Sequence, residues 1–262
     1  MTSTLNPDSF ASEDLTRDAF LGGRLHLWQP RHGYRAGVDP VFLAAAVPAK
    51  PGESVLDLGC GVGAAALCLA TRTPDLTITG IEIQPTYAQL MAHNAQENGL
   101  AVQVVTGDLA DPSPDLRQMS FDHVITNPPY YQRERGTAAP ESGREAAMGE
   151  VTPFDTWIDA AMRRLRPGGR LTLIQHIERL DDVLAALRKK GGDTHIYPLA
   201  PRVGRDATRF LCCTKKGAKG PLRLAAPQIL HEGDTHSADG DSYTQIATNV
   251  LRHGQSWPWI AD

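Results

Sequence analysis

Hydrophobic and polar positions show no period as far as residue 20, so this polar stretch reads as a flexible terminus outside the fold. Alternation then begins. Leu25 and Leu27 lie between Arg24, His26 and Trp28, which predicts a half-buried strand over 24–29. Asp39-Pro40 follows, an N-cap acid with proline at the first helical position, and opens an apolar helix over 41–47 that Pro48, Pro51 and Gly52 end. From residue 54 onward strand-like and helix-like stretches alternate, the pattern of a parallel sheet covered by helices on both faces. Strands are predicted over 54–58, 76–83, 102–106 and 121–126. The first runs into a glycine-rich turn and a helix ending near Arg72, and another helix starts at Pro85 and stops at Asn98-Gly99. A helix over 154–165, the turn Arg166-Pro167-Gly168-Gly169 and a strand over 171–175 make a further crossover unit. A helix over 178–190, strands over 194–197 and 208–214, and a closing helix over 243–252 complete the pattern. No repeat and no linker interrupts it, so residues 21–262 read as one α/β domain.

Composition narrows the function. The 26 Lys+Arg and 30 Asp+Glu leave a net charge of -4, so no global positive field exists to hold nucleic acid or an anionic membrane. The charge is unevenly spread, however. Between Arg188 and Arg223 ten basic residues face only Asp193 and Asp206, a local +8 that predicts a phosphate-binding patch including Arg202, Arg205, Arg209, Lys215 and Lys216. The four cysteines (Cys60, Cys68, Cys212 and Cys213) contain no Cys-x-x-Cys pair, which predicts neither a disulfide framework nor a metal site. Asp8, Glu13, Asp14 and Asp18 exclude a secretory signal at the start, and nowhere do eighteen apolar residues run together. The expectation is a soluble, cytoplasmic protein, monomeric, with no membrane partner.

Two motifs carry chemistry. Gly59-Cys60-Gly61-Val62-Gly63 follows a strand and enters a helix, a context that presents backbone N–H groups and a positive helix end to a ligand. Glu82, at the end of the next strand, can accept both hydroxyls of a ribose, and Asp108, after the third, can accept from an adenine amino group. Asp57 is flanked by apolar residues and is placed to hold the loop's N–H groups. These features alone fit a nicotinamide dinucleotide as well as another adenosine cofactor.

Asn127-Pro128-Pro129-Tyr130, at the carboxyl end of the fourth strand, separates the two. An exocyclic amine or amide nitrogen is a poor nucleophile because its lone pair is delocalised. Two acceptors, the Asn127 side-chain oxygen and the Pro128 carbonyl, can take its two N–H bonds and favour a pyramidal nitrogen aimed at an electrophilic methyl group. The prolines fix that carbonyl, and Tyr130 offers a flat face to a base turned out of its stack. Hydride transfer has no use for such a clamp. Residues 131–150 are too long for a simple connection and read as a mobile functional loop, with Arg133, Arg135 and Arg144 placed to guide an RNA strand.

Asp57 to Gly63, Glu82, Asp108 and Asn127 to Tyr130, in this order and spacing, resemble the class I S-adenosylmethionine-dependent methyltransferases that act on exocyclic or amide nitrogens. Residues 29–39, Tyr130-Tyr131-Gln132 and Arg144 resemble, within that group, the bacterial valine-tRNA adenine-N6-methyltransferases, which modify the adenine beside the anticodon. The resemblance spans residues 25–214. It implies a Rossmann-like, seven-stranded, mostly parallel sheet with its last strand antiparallel, S-adenosylmethionine as cofactor and tRNA as substrate. It also implies that the cofactor's methionine part lies over 59–63, its ribose on Glu82 and its adenine near Asp108, with Asp39 either capping its helix or reaching the amino end. The rivals are a glutamine methyltransferase acting on a translation factor, a ribosomal guanine-N2 methyltransferase, and a non-catalytic RNA-binding module of the same fold.

Overall fold

The computed structural model describes residues 10–129, 152–233 and 242–258. Strand β1 (Leu15–Phe20) pairs antiparallel with β2 (Leu25–Pro30). Residues 15–20 therefore form a paired strand, where a flexible stretch up to residue 20 is expected. Its polar side chains hid the strand because they serve as partners. Asp18 accepts from Gln29 Nε2 at 2.8 Å and from Arg35 Nη2 at 2.7 Å, and Arg17 lies 3.9 Å from Glu97.

The remaining elements continue the alternation, with α4 one that the pattern did not predict: α1 (Asp39–Ala45), β3 (Ser54–Leu58), α2 (Ala64–Arg72), β4 (Thr77–Glu82), α3 (Pro85–Glu97), β5 (Val102–Thr106), α4 (Pro114–Gln118) and β6 (Phe121–Thr126). After them come α5 (Phe154–Arg164), β7 (Leu165–His176), α6 (Leu180–Leu187), β8 (Gly191–Ala200), β9 (Arg209–Lys216), β10 (Arg223–Leu224), β11 (Gln228–Ile229) and α7 (Gln245–His253). The main sheet has the order β10-β8-β9-β7-β6-β3-β4-β5, with β11 also on β8. Strands β3 to β7 pair in parallel, and β9 runs antiparallel between β7 and β8.

Among the described residues the main sheet has nine strands where seven are expected. The two additions, β10 and β11, have two residues each and pair with the outer edge of β8, whose N–H and C=O groups would otherwise face solvent.

Alternation along β3 splits the core. Val55 joins a cluster with α1, α2 and α3 on one face, and Leu56 and Leu58 join a second with α5 and α6 on the other. The C-terminal segment belongs to the first face. Trp257 is fully buried, its ring centroid lies 5.3 Å from that of Phe42, and its Nε1 donates to the Phe42 carbonyl at 3.0 Å. Residues 234–241, another part of that segment, lie outside the described residues.

Trp257→Ala is expected to remove about 3–5 kcal/mol of stability, the range for truncating a buried tryptophan. Denaturant unfolding would measure it; a loss under about 1 kcal/mol would show that the segment merely covers the core.

Candidate active site

Parallel register brings the two motifs together. Leu58 stands opposite Thr126 across the β3–β6 pair and opposite Ile81 across β3–β4, so the residues that leave these strands emerge side by side. Gly59, Glu82, Asp108 and Asn127 thus all lie at the carboxyl edge of the sheet, where β4 and β6 flank β3 on opposite sides.

The three glycines have different reasons to be glycine. All have positive φ, at +69°, +53° and +89° for Gly59, Gly61 and Gly63. A Cβ on Gly59 would lie 2.4 Å from the Trp157 ring of α5, and one on Gly63 would lie 2.7 Å from Met91 of α3. Those two positions are closed by protein packing. Only Gly61 faces open space, where a Cβ would come no nearer than 3.9 Å to Tyr34.

The loop's donors are also largely engaged within the protein. Gly59 N and Cys60 N donate to Ile81 O at 2.9 and 3.1 Å, Gly63 N donates to Cys60 O at 2.8 Å, and Gly61 N donates to Glu82 Oε2 at 3.0 Å. The expectation of a ring of amides presented to a ligand is corrected at these positions. Cys60 is corrected with it: its Sγ packs into the core, 2.8 Å from where a Gly80 Cβ would be, and burial pushes its thiol pKa well above the usual value.

Glu82 accepts Gly61 N on one oxygen and Gln84 N on the other, both at 3.0 Å. Each carboxylate oxygen keeps a further lone pair, so a vicinal diol can still be accepted by a side chain already locked in place. Asp57 sits behind the loop, buried, and accepts from the Ala66 N–H of α2 rather than from the loop. Its Oδ2 is buried without a hydrogen-bond partner among the described residues. Burial, reinforced by the neighbouring Glu82 charge, pushes its pKa to about 7 despite the Ala66 hydrogen bond. Asp108 Oδ1 accepts Ala110 N at 2.8 Å, which shapes the turn after β5.

This donor set fits the methionine and adenosine parts of S-adenosylmethionine. An unsatisfied acid oxygen and a second carboxylate favour a ligand carrying a cation, whereas a dinucleotide's pyrophosphate would meet like charge and few uncommitted amides.

Asn127 and Pro128 follow β6. The Asn127 Nδ2 donates to the Tyr34 hydroxyl at 3.3 Å, so its Oδ1 occupies the other branch of the amide. The Pro128 carbonyl accepts Gln175 Nε2 at 3.2 Å. Pro129 is exposed, while Tyr130, Arg133, Arg135 and Arg144, with the whole of the 131–150 loop, lie outside the described residues.

Tyr34 is held in place by the N-terminal hairpin. Gln29 Oε1 accepts Ala36 N at 2.7 Å, and Arg35 binds Asp18 as well as Pro30 O at 2.7 Å. Sequence reasoning passed over Tyr34, Trp157 and Gln175. The signal for Gln175 was there, an amide at the end of the apolar run Leu171-Thr172-Leu173-Ile174. Tyr34 and Trp157 have no local signal.

Two of the expected site residues meet each other. Asp39 is the first residue of α1 rather than its cap, and its Oδ2 accepts from Arg209 Nε at 2.7 Å. The acid assigned to the cofactor and the base assigned to RNA are partners, since β9 runs beside β7 and brings residue 209 to the same sheet end. The wider basic patch divides as well. Arg202 is buried, donating to the Glu232 and Gly233 carbonyls and to the Ser242 hydroxyl, so it ties the loop between β8 and β9 to the segment after β11. Lys215 and Lys216 stand at the far end of β9, about 20 Å along the strand from Arg209. There the Lys216 Nζ donates to Leu165 O at 2.6 Å. Arg205 remains exposed at the carboxyl edge, beside the exposed Val203.

Among the described residues no group of three or more His, Cys, Asp or Glu side chains could hold a metal ion, and no helix is long and apolar enough to cross a membrane.

Comparison with known proteins agrees with this geometry. The family model for the methyltransferase small domain matches residues 37–190. A Porphyromonas gingivalis protein named tRNA1(Val) (adenine(37)-N6)-methyltransferase is 34% identical over 175 residues, which is 63% of this chain and 68% of that protein. A Shewanella baltica protein of the same name is 31% identical over 201 residues, covering 74% and 82%. Among solved structures, an Agrobacterium tumefaciens protein described as a predicted O-methyltransferase superposes with a TM-score of 0.68 at 25% identity, covering 84% of this chain and 98% of that one. A 16S rRNA N2 methyltransferase from T. thermophilus shares the fold, with a TM-score of 0.57 at 20% identity over 77% of this chain and 50% of that one. With its family model matched over more than half its length, this chain belongs to the methyltransferase small domain family.

Proposed function

We propose that this chain methylates the N6 amine of an adenine in tRNA, at the position beside the anticodon of valine tRNA. The observation that carries the reading is the placement of Asn127 and the Pro128 carbonyl one strand away from the Gly59–Gly63 loop, at one sheet edge. The named relatives support the same substrate class.

S-adenosylmethionine, when bound, supplies an electrophilic methyl group on a positively charged sulfur. Glu82 would hold its ribose, Asp108 would face its adenine, and Gly61 and Asp57 would border its methionine part. The Asn127 Oδ1 and the Pro128 oxygen then accept the two N–H bonds of the target amine. Acceptance at both bonds draws electron density back onto nitrogen and orients its lone pair. Tyr34 keeps the Asn127 oxygen turned to this task, and Tyr130 would stack on the extruded base. The proton that nitrogen sheds after transfer passes to water, so no strong base is required. Arg205 would meet the RNA backbone at the crevice, with Arg133, Arg135 and Arg144 approaching from the loop after Tyr130.

The direct experiment incubates the chain with labelled S-adenosylmethionine and tRNA that lacks the modification, followed by nucleoside analysis. N6-methyladenosine is expected; methylation of guanine N2, or of a glutamine in a translation factor, would replace this reading. Asn127→Ala is expected to lower kcat by about 100-fold or more, the scale for removing one preorganised polar group from a transition state. Tyr34→Phe should cost about fivefold to tenfold in kcat, equivalent to one neutral hydrogen bond, with cofactor affinity unchanged. Unaltered turnover in either variant would remove the role assigned to that residue. Arg205→Glu is expected to weaken tRNA binding several-fold and to reduce the slope of log affinity against log salt by about 1, measured by filter binding. An unchanged slope would exclude Arg205 from the RNA contact.

A further inference from the structure

The Pro128 carbonyl, one half of the proposed clamp, has a dedicated donor from another strand. Gln175 is fully buried one residue before the end of β7, and its Nε2 donates to Pro128 O at 3.2 Å. Its Oε1 accepts the His176 N–H at 2.8 Å. That second contact fixes which way the amide faces. Rotating it by half a turn would set an NH2 against the His176 N–H and an oxygen against the Pro128 oxygen, two repulsive contacts. Gln175 can therefore offer Pro128 only a donor.

We propose that Gln175 is a positioning residue for methyl transfer: its amide N–H takes one lone pair of the Pro128 carbonyl and so aims the other at the target amine. The inference rests on the Asn127–Pro128 clamp argued above. Its force comes from what two successive prolines lack. Neither Pro128 nor Pro129 has an N–H, so neither can donate the ladder bond that would anchor this turn to a neighbouring strand. Strand β6 ends at Thr126, and the direction of the Pro128 carbonyl must be set from outside the backbone. The neighbouring strand β7 does this with a side chain. A buried amide on a strand that also buries Leu171, Leu173 and Ile174 carries a desolvation cost that an aliphatic residue would avoid, so packing alone does not call for glutamine there.

Gln175→Glu tests the donor directly because it keeps the shape. When protonated, the carboxyl can accept from His176 and donate its O–H to Pro128; when ionised, it turns a charged oxygen on the Pro128 carbonyl. The rates of wild type, Gln175→Glu and Gln175→Leu are compared from roughly pH 6 to 9, a span that brackets the raised pKa of a buried carboxyl. Cofactor and unmodified tRNA are saturating throughout. His176 is the titratable neighbour, itself influenced by Arg209, Asp39 and Glu178, and all four are common to the three proteins, so the variant-to-wild-type ratio isolates residue 175.

Gln175→Leu is expected to lose about 10-fold to 100-fold in kcat, with KM for cofactor and tRNA within about twofold. Gln175→Glu is expected near the wild-type rate at the acid end, with its ratio falling about tenfold per pH unit above the carboxyl's own pKa. A ratio that stays flat with pH, or a leucine variant whose loss follows cofactor affinity instead of kcat, would overturn the inference. If wild type is active and Asn127→Ala is not, such a result removes Gln175 alone. If wild type forms no N6-methyladenosine, the proposed function falls, and this inference with it.

Discussion

The parallel pairing of β3 with β6 is the contact on which the site depends. Leu58 lies opposite Thr126, and the buried Thr126 hydroxyl donates to the Leu58 carbonyl at 2.9 Å, stitching the two strands together at the point where both leave the sheet. Strand order reverses here. β4 and β5 extend the sheet to one side of β3 and β6 to the other, so the connections diverge and open a crevice. The glycine loop and Asn127 share that crevice. A slip of one residue in the register of β6 would turn its side chains to the opposite face and carry Asn127 out of the cleft, so the alternation that fills the core also fixes the chemistry.

Charge explains why the same glycine loop does not serve a dinucleotide. Asp57 and Glu82 are buried near one another, and their mutual repulsion adds to the desolvation that holds the Asp57 carboxyl near neutral pKa. A ligand bringing positive charge relieves both effects, whereas a pyrophosphate aggravates them. Backbone donors that would have to greet phosphate are already bound to Ile81, Glu82 and Cys60. Arg209, a strong base at this edge, is neutralised by Asp39. The result is a crevice suited to a cation, beside an outer rim where Arg205 is exposed.

How much of this the sequence disclosed follows from where the information resides. Strands β3 to β6 and the two motifs were legible because their signals are local: apolar runs, glycines with positive φ, and prolines that end a ladder. The strand Leu15–Phe20 was not, since its Arg17, Asp18 and half-exposed pattern look like a loose terminus until Arg35 and Gln29 are seen to need Asp18. Distance along the chain also misled where it was taken for distance in space. Arg202, Arg209, Lys215 and Lys216 are near in sequence, yet one strand's length and two internal partners disperse them into a buried brace, an ion pair and the opposite end of the sheet. Gly59 was read as part of a loop that presents its backbone to a ligand, and its missing side chain makes room for Trp157, a residue nearly one hundred positions away, which no local pattern could reveal.

The two acceptor oxygens of the proposed clamp differ in how they are held, and the difference follows from their chemistry. An asparagine side chain has its own torsions and its own nitrogen, so a partner for that nitrogen suffices to choose the face presented by the oxygen; Tyr34, on a segment braced by the N-terminal hairpin, is that partner. A proline carbonyl has no side-chain torsion to adjust and no N–H to anchor, so its direction must be set by something that donates to the oxygen itself. Gln175 fills that requirement from β7. Misplacement of a reacting geometry by about 1 Å can cost two orders of magnitude in rate, so a clamp made of one flexible and one rigid acceptor needs two unlike supports. Those supports come from β7 and from the N-terminal hairpin, neither of which carries the glycine loop. Grip on the amine can thus be altered while the cofactor side of the crevice keeps its shape.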